Sequence, residues 1–282
     1  MGRMIPRHHV ATDYSAANLD TQPMRRVVAT AKKVPEVTIF FWIIKVLTTG
    51  MGETTSDYLV HTIDPVIAVA IAGVCFFAAL VLQLLARRYV PWVYWLAVVM
   101  VAIFGTMVAD AVHIVLHVPY LTSVIVFSIA LAAVFIAWYA TEKTLSIHSI
   151  YTLRRELFYW ATIVTTFALG TAVGDMTAST LRLGYFLSGI LFAILFFLPG
   201  AGYWLFRLNA VFAFWFAYIM TRPLGASFAD WLGKERAYGG IGAGTGRISL
   251  LLAVVIIGFV AYLTVAHQDV REGQNRQDRS GW

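Results

Sequence analysis

One cysteine, Cys75, is all the thiol chemistry that the 282-residue chain contains. It excludes an internal disulfide, a thiolate zinc site and an iron–sulfur cluster held within one chain. Charge is scarce too: 13% of residues are Asp, Glu, Lys or Arg, against 60% that are apolar. The sequence also lacks a nucleophile elbow, a His-Glu-x-x-His pair and a Rossmann unit. The glycine-rich run 239–246, GGIGAGTG, follows no strand and has no Lys-Ser/Thr after it, so it reads as a flexible loop and not as a phosphate cradle. Neither an enzyme nor a nucleotide site is expected. A short apolar segment with a small-residue cleavage site is missing near the start, so residues 1–33 read as an uncleaved cytoplasmic tail. The net charge of +6 is spread over tails and short loops, which excludes nucleic acid as the natural partner.

What the sequence does have is long apolar runs. Eight of them, each about the length a bilayer core demands of a helix, cover 36–61, 64–86, 92–117, 120–141, 156–178, 183–205, 208–232 and 246–267. They do not alternate as barrel strands would. Tight joints at Asp64-Pro65, Pro91 and Pro119 make consecutive helices antiparallel, so each pair reads as one hairpin. The tail before residue 34, the loops at 87–88 and 142–156, Arg207 and the tail after 268 together hold 15 Lys and Arg. Arg182, Arg222, Lys234, Arg236 and Arg247 are the five on the other side. That bias puts both termini in the cytoplasm.

The odd-numbered runs share one skeleton: Trp, nine residues, Gly, four residues, Asp. It occurs at Trp42, Gly52, Asp57; Trp95, Gly105, Asp110; Trp160, Gly170, Asp175; and Trp215, Gly225, Asp230. The copies start 53, 65 and 55 residues apart, the size of a repeat unit. The expected fold is therefore an all-α integral membrane protein of eight transmembrane helices. It consists of four tandem two-helix repeats in parallel orientation, about 34–90, 91–145, 154–206 and 207–268, with a C-terminal tail at 269–282. The Asp follows the Trp by about 22 Å of helix, which puts the Trp towards the cytoplasmic interface and all four Asp at one depth in the other leaflet. The Gly lets another helix come close.

Carboxylates inside a bilayer cost several kcal/mol unless protein, water or a counter-charge meets them, so the four Asp are candidate ion-binding residues. Glu53, Asp57 and His61 fall along one side of the first helix, and Asp110, His113 and His117 along one side of the third. Oxygen and imidazole donors without thiolate suit a divalent transition-metal ion, with Glu53, Asp57, His61, Asp110, His113 and His117 as the ligand set. Lys45, the basic residue deep in the first run, supplies a counter-ion or a releasable proton. Arg222-Pro223 interrupts the seventh run, as a broken transport helix or as a packing kink. Glu36 and Glu156 read as solvated acids at helix starts.

The run 33–59, KVPEVTIFFWIIKVLTTGMGETTSDYL, with its later echoes, resembles a family of bacterial multi-pass proteins usually labelled uncharacterised membrane-anchored proteins. The resemblance covers about 34–267 and implies a bacterial inner (cytoplasmic) membrane; it brings no activity with it. The residues themselves support a small-cation transporter, divalent transition metals first, coupled to protons or to the membrane potential. A metal- or proton-sensing accessory protein is the alternative, and a membrane oxidoreductase or haem-binding subunit using His113 or His117 is a further one. The expected partners are the lipid bilayer and the cation; whether the chain forms a homo-oligomer is open.

Overall fold

The local signals that start the helices act as the sequence suggests. Asp64 Oδ1 accepts from the backbone N–H of Val66 and Ile67, at 2.9 and 3.2 Å, and Asn209 Oδ1 does the same for Val211 and Phe212. Each satisfies donors that a helix N-terminus leaves open. In a computed structural model describing residues 32–266, eight long helices result. They are α1 (Ile39–Thr62), α2 (Pro65–Leu85), α3 (Pro91–Ile114), α4 (Tyr120–Glu142), α5 (Leu153–Asp175), α6 (Gly184–Phe206), α7 (Ala210–Gly233) and α8 (Thr245–Ala266). A π-helical turn, Met176–Thr180, extends α5 directly after Asp175. No strand occurs among the described residues. The two expected tails, 1–33 and 269–282, lie almost entirely outside them.

Six helices, α2 to α6 and α8, are long and apolar enough to cross a membrane, and the protein is a multi-pass membrane protein. The other two, α1 and α7, carry Lys45, Glu53 and Asp57, and Arg222 and Asp230. Position explains how these charges are tolerated. The odd helices form the inner ring and the even ones the outer: 61% of the apolar stretch of α3 and of α5 is buried, against 17–28% for α2, α4, α6 and α8. The ring runs α1, α3, α5, α7 and closes back on α1.

One repeated contact builds this ring. The Gly of each copy faces the residue that stands seven places after the Trp in the next copy. A Cβ on Gly52 would lie 2.5 Å from Ala102 Cβ, one on Gly105 3.3 Å from Phe167 Cβ, one on Gly170 2.6 Å from Arg222 Cβ, and one on Gly225 2.0 Å from Thr49 Oγ1. The last contact joins the fourth repeat to the first, so the four copies surround a pseudo-fourfold axis without a seam. Small residues earn this place in membrane packing because they let helix backbones approach.

Two expectations change. The two helices of one repeat are not each other's closest neighbours: α2 packs chiefly on α3, α4 on α5, α6 on α7 and α8 on α1. Each repeat therefore covers its successor more than itself. Three of the four repeat tryptophans also turn into the ring and not onto its surface. Trp95, Trp160 and Trp215 are buried, and they pack edge-on or tilted with Tyr94, Tyr159 and Phe214 in an aromatic layer across the ring. Trp42 lies against Phe196 and Phe214.

Candidate functional site

Arg222 sits at the centre of the ring and is 1% exposed. Pro223 does not break α7, which runs on as helix past it, and the pair fills the space left by Gly170 and Gly174 on α5. The Arg222 Nη2 group lies 2.7 Å from Glu53 Oε2, 2.6 Å from Thr106 Oγ1 and 2.8 Å from Thr171 Oγ1, sharing its protons among them. These three acceptors occupy one repeat position, directly after Gly52, Gly105 and Gly170. The fourth copy has Ala226 there and offers no oxygen. Arg222 Nε and Nη1 have no hydrogen-bond partner among the described residues.

One turn further along the inner helices the carboxylates gather. Oxygens of Glu53, Asp175 and Asp230, from α1, α5 and α7, come within 4.8 Å of one another. Lys234, just past the end of α7, stands 3.4 Å from Asp57 Oδ2 and 3.3 Å from Asp230 Oδ1. Burial pulls the Lys234 ammonium down, but the carboxylates of Asp230, Asp57 and Glu53 outweigh it and hold the pKa above its ordinary value. Asp110, half-buried on α3, has no ion pair of its own among the described residues and stands within electrostatic reach of Glu53, Asp175 and Asp57. The four repeat Asp thus share one end of the ring, with Glu53 just below them.

The glycine-rich loop packs on the end of α7 there and is not free. Its N–H groups at Ile241, Gly242, Ala243 and Gly244 bond to the carbonyls of Trp231, Lys234, Leu232 and Gly233. It thereby satisfies the C-terminal carbonyls of α7 and fixes the backbone that carries Lys234.

Lys45 lies deeper. Its Nζ is 4.0 Å from the Phe167 ring centre and 4.3 Å from that of Tyr218, and no carboxylate pairs with it among the described residues. The counter-ions of the carboxylates are Arg222 and Lys234. Past Lys45, the buried hydroxyls of Tyr94 and Tyr159 bond to each other.

The histidines stand apart from the cluster. His61 is exposed and its Nδ1 lies 2.6 Å from the Asp57 carbonyl. His113 Nδ1 lies 2.7 Å from the Val118 carbonyl, with its ring stacked on Tyr120. His117 is exposed, 3.1 Å from the Val115 carbonyl. Each lies at or just past the end of a helix and bonds to a nearby backbone carbonyl. The ligand set drawn from the sequence is thus divided: Glu53, Asp57 and Asp110 share the mouth of the ring, and the three imidazoles serve backbone outside it.

A second polar group lies at the opposite end of the ring, and it corrects the account of Glu156. That residue is fully buried, 2.6 Å from Lys33 Nζ and 3.0 Å from Gln83 Nε2. Beside it, Glu36 meets Lys32 and His148, the latter at 3.4 Å. The hydrogen bond from His148, helped by Lys32 and opposed by partial burial, lowers the Glu36 pKa from 4.5 to about 2. A carboxyl depressed in the folded state contributes stability that is complete above its unfolded pKa and disappears as pH falls through the folded one. Stability in detergent should therefore decline between pH 4.5 and about 2, and Glu36→Gln should flatten that part of the profile. An unchanged slope in the variant would remove Glu36 from the account.

The repeats match a known family model. The family described as "Repeat of Unknown Function (DUF347)" matches at 40–89, 93–144, 158–208 and 213–269, one match for each copy of the skeleton. The chain belongs to this family and carries four copies of its repeat. No curated protein and no solved structure matches it.

Proposed function

We propose that the protein moves a small cation across the membrane through the acidic mouth of its inner ring, in exchange for protons. The observation that carries this is the convergence of Glu53, Asp175 and Asp230 oxygens within 4.8 Å, from three helices related by the pseudo-fourfold axis. Three carboxylates so close repel one another unless a cation or shared protons lie between them. Asp57 and Asp110 flank the group, and Lys234 and Arg222 together answer only part of its charge. Protons on the carboxylates can replace the ion when it leaves, so the mouth need not stay highly charged in either state.

The donor set favours an oxygen-liking cation. Carboxylate oxygens suit magnesium, calcium or manganese better than the softer metals that imidazole would attract. Divalent transition metals remain within the proposal through manganese. The orientation proposed is both termini in the cytoplasm of a bacterial inner membrane, with the carboxylates towards the outer face. Arg222 drops out of the outer count of basic residues because it is buried in the ring, which strengthens the charge bias. A reporter active only in the periplasm should be silent on either terminus; activity there would reverse the orientation.

The test is ion flux into proteoliposomes under an imposed pH gradient, with Mg²⁺, Ca²⁺, Mn²⁺, Co²⁺, Ni²⁺, Zn²⁺, Na⁺ and K⁺ in turn. Asp175→Asn and Asp230→Asn should each reduce the flux of the cargo ion at least ~100-fold, the loss of a buried charge contact of about 3 kcal/mol. Wild-type protein that binds a cation and carries none would leave a sensor in place of a transporter.

A further inference from the structure

The acidic mouth is not the only place in the ring built for a cation. We propose that the oxygens around Arg222 form a second, deeper cation station, in which the guanidinium stands in for a monovalent cation such as potassium or ammonium.

The contact pattern sets this arginine apart from an ordinary structural one. Arginine normally grips a carboxylate with two nitrogens of its fork. Here a single nitrogen, Nη2, meets all three oxygens, while Nε and Nη1 have no partner among the described residues. The group is held as an ammonium would be, at one point. The acceptors are also not a chance set: Glu53, Thr106 and Thr171 occupy one position of three successive repeats, so the axis itself brings them together.

Distance and charge then narrow the guest. The three oxygens stand 2.6–2.8 Å from the nitrogen. Zinc and magnesium are held at about 2.0–2.2 Å and calcium at about 2.3–2.6 Å. The ring is therefore too wide for those ions as it stands and has the span of a larger, singly charged one. One carboxylate and two hydroxyls give the site a formal charge of −1, which a monovalent cation neutralises.

The fourth repeat shows how the arginine came to fill it. Ala226 supplies no oxygen at the equivalent position, and the Arg222 stem enters from the previous turn of the same helix. Its room exists because Gly170 has no side chain: a Cβ there would lie 2.6 Å from both Arg222 Cβ and Cγ. In this reading Arg222 is a tethered ion. It shares Glu53 with the upper cluster, so a cation arriving among Glu53, Asp175 and Asp230 competes with the guanidinium for one carboxylate. The inference rests on the cation reading of the mouth, but its test needs no transport.

That test removes the tether and offers free ions. Arg222→Ala, and Arg222→Met, which keeps a stem against Gly170, are purified in potassium-free detergent buffer. Their melting temperatures are measured with potassium, ammonium, lithium and magnesium chlorides at equal ionic strength. Potassium or ammonium should raise the melting temperature of either variant by several degrees, because a ligand that binds only the folded state stabilises it. Lithium and magnesium should not, and wild type should respond to none of them. Adding Thr106→Val and Thr171→Val should abolish the response. If neither variant survives purification, potassium supplied during extraction should recover monodisperse protein where lithium does not. Equal responses to all four salts, or none in any variant, would overturn the tethered ion. Potassium-selective stabilisation without flux in wild type would sink transport and leave this inference; flux without stabilisation of the variants would do the reverse.

Discussion

Glu53→Gln should destabilise the protein by about 3–5 kcal/mol, and Arg222→Met by a similar amount, when each is unfolded reversibly from mixed micelles in potassium-free buffer. Either change leaves one buried charge without its partner, away from bulk solvent: Glu53 is 3% and Arg222 1% exposed. The double variant Glu53→Leu/Arg222→Met should recover most of the loss, because an apolar pair of similar volume avoids the desolvation cost that the ion pair carries. The coupling between the two sites, measured with Glu53→Leu and Arg222→Met as the single variants, should then be larger than either single loss. Losses that simply add would show that the two side chains do not act as a pair, and with that the charge balance of the whole ring would need another source.

The second large effect belongs to the repeat glycines. Gly225→Val should prevent assembly of the ring, seen as loss of monodisperse protein after extraction, while Gly105→Ala should cost about 1 kcal/mol or less. The difference lies in what the new Cβ meets. At Gly225 it would lie 2.0 Å from Thr49 Oγ1 and 2.6 Å from the Val46 carbonyl, and at Gly52 2.5 Å from Ala102 Cβ and 2.8 Å from its carbonyl carbon. Backbone cannot step aside unless the helices separate. At Gly105 the nearest atom is Phe167 Cβ at 3.3 Å, a gap that a few tenths of an ångström would relieve. Equal tolerance at both positions would mean that the helices are not held at this spacing.

The membrane class, the eight helices and the fourfold repeat were legible because each leaves a one-dimensional trace: apolar length for the spans, and constant spacing of Trp, Gly and Asp for the repeat. Glu53 was legible as a site candidate, since a charge in an apolar run stands out unaided. Its partner was not. Arg222 lies 169 residues away in sequence, and its side chain reads equally well as a kink beside Pro223. A signal was nevertheless present at the position after each repeat glycine, where Glu, Thr and Thr give way to Ala just where an arginine has appeared one turn earlier. The histidines misled for a local reason. Spacing on a helix says which side chains share a face, but these imidazoles sit at helix ends and turn back onto carbonyls. The tryptophans were read by the statistics of membrane surfaces, yet the inner helices of a ring have little surface to give.

The separation of Glu53 from Arg222 along the chain has a consequence for biosynthesis. At roughly 5–20 residues per second, about 10–30 s pass between the synthesis of α1 and that of α7. During that interval the first helix carries Lys45, Glu53 and Asp57 while most of its final neighbours do not yet exist. A nascent helix in that condition is a poor candidate for release into lipid, and it gains its counter-charge only when the seventh helix follows. The chain therefore calls for an insertion machinery that keeps the first helix sheltered until the last repeat arrives, and a ribosome stalled before residue 222 would leave α1 at the site of insertion and not in the bilayer.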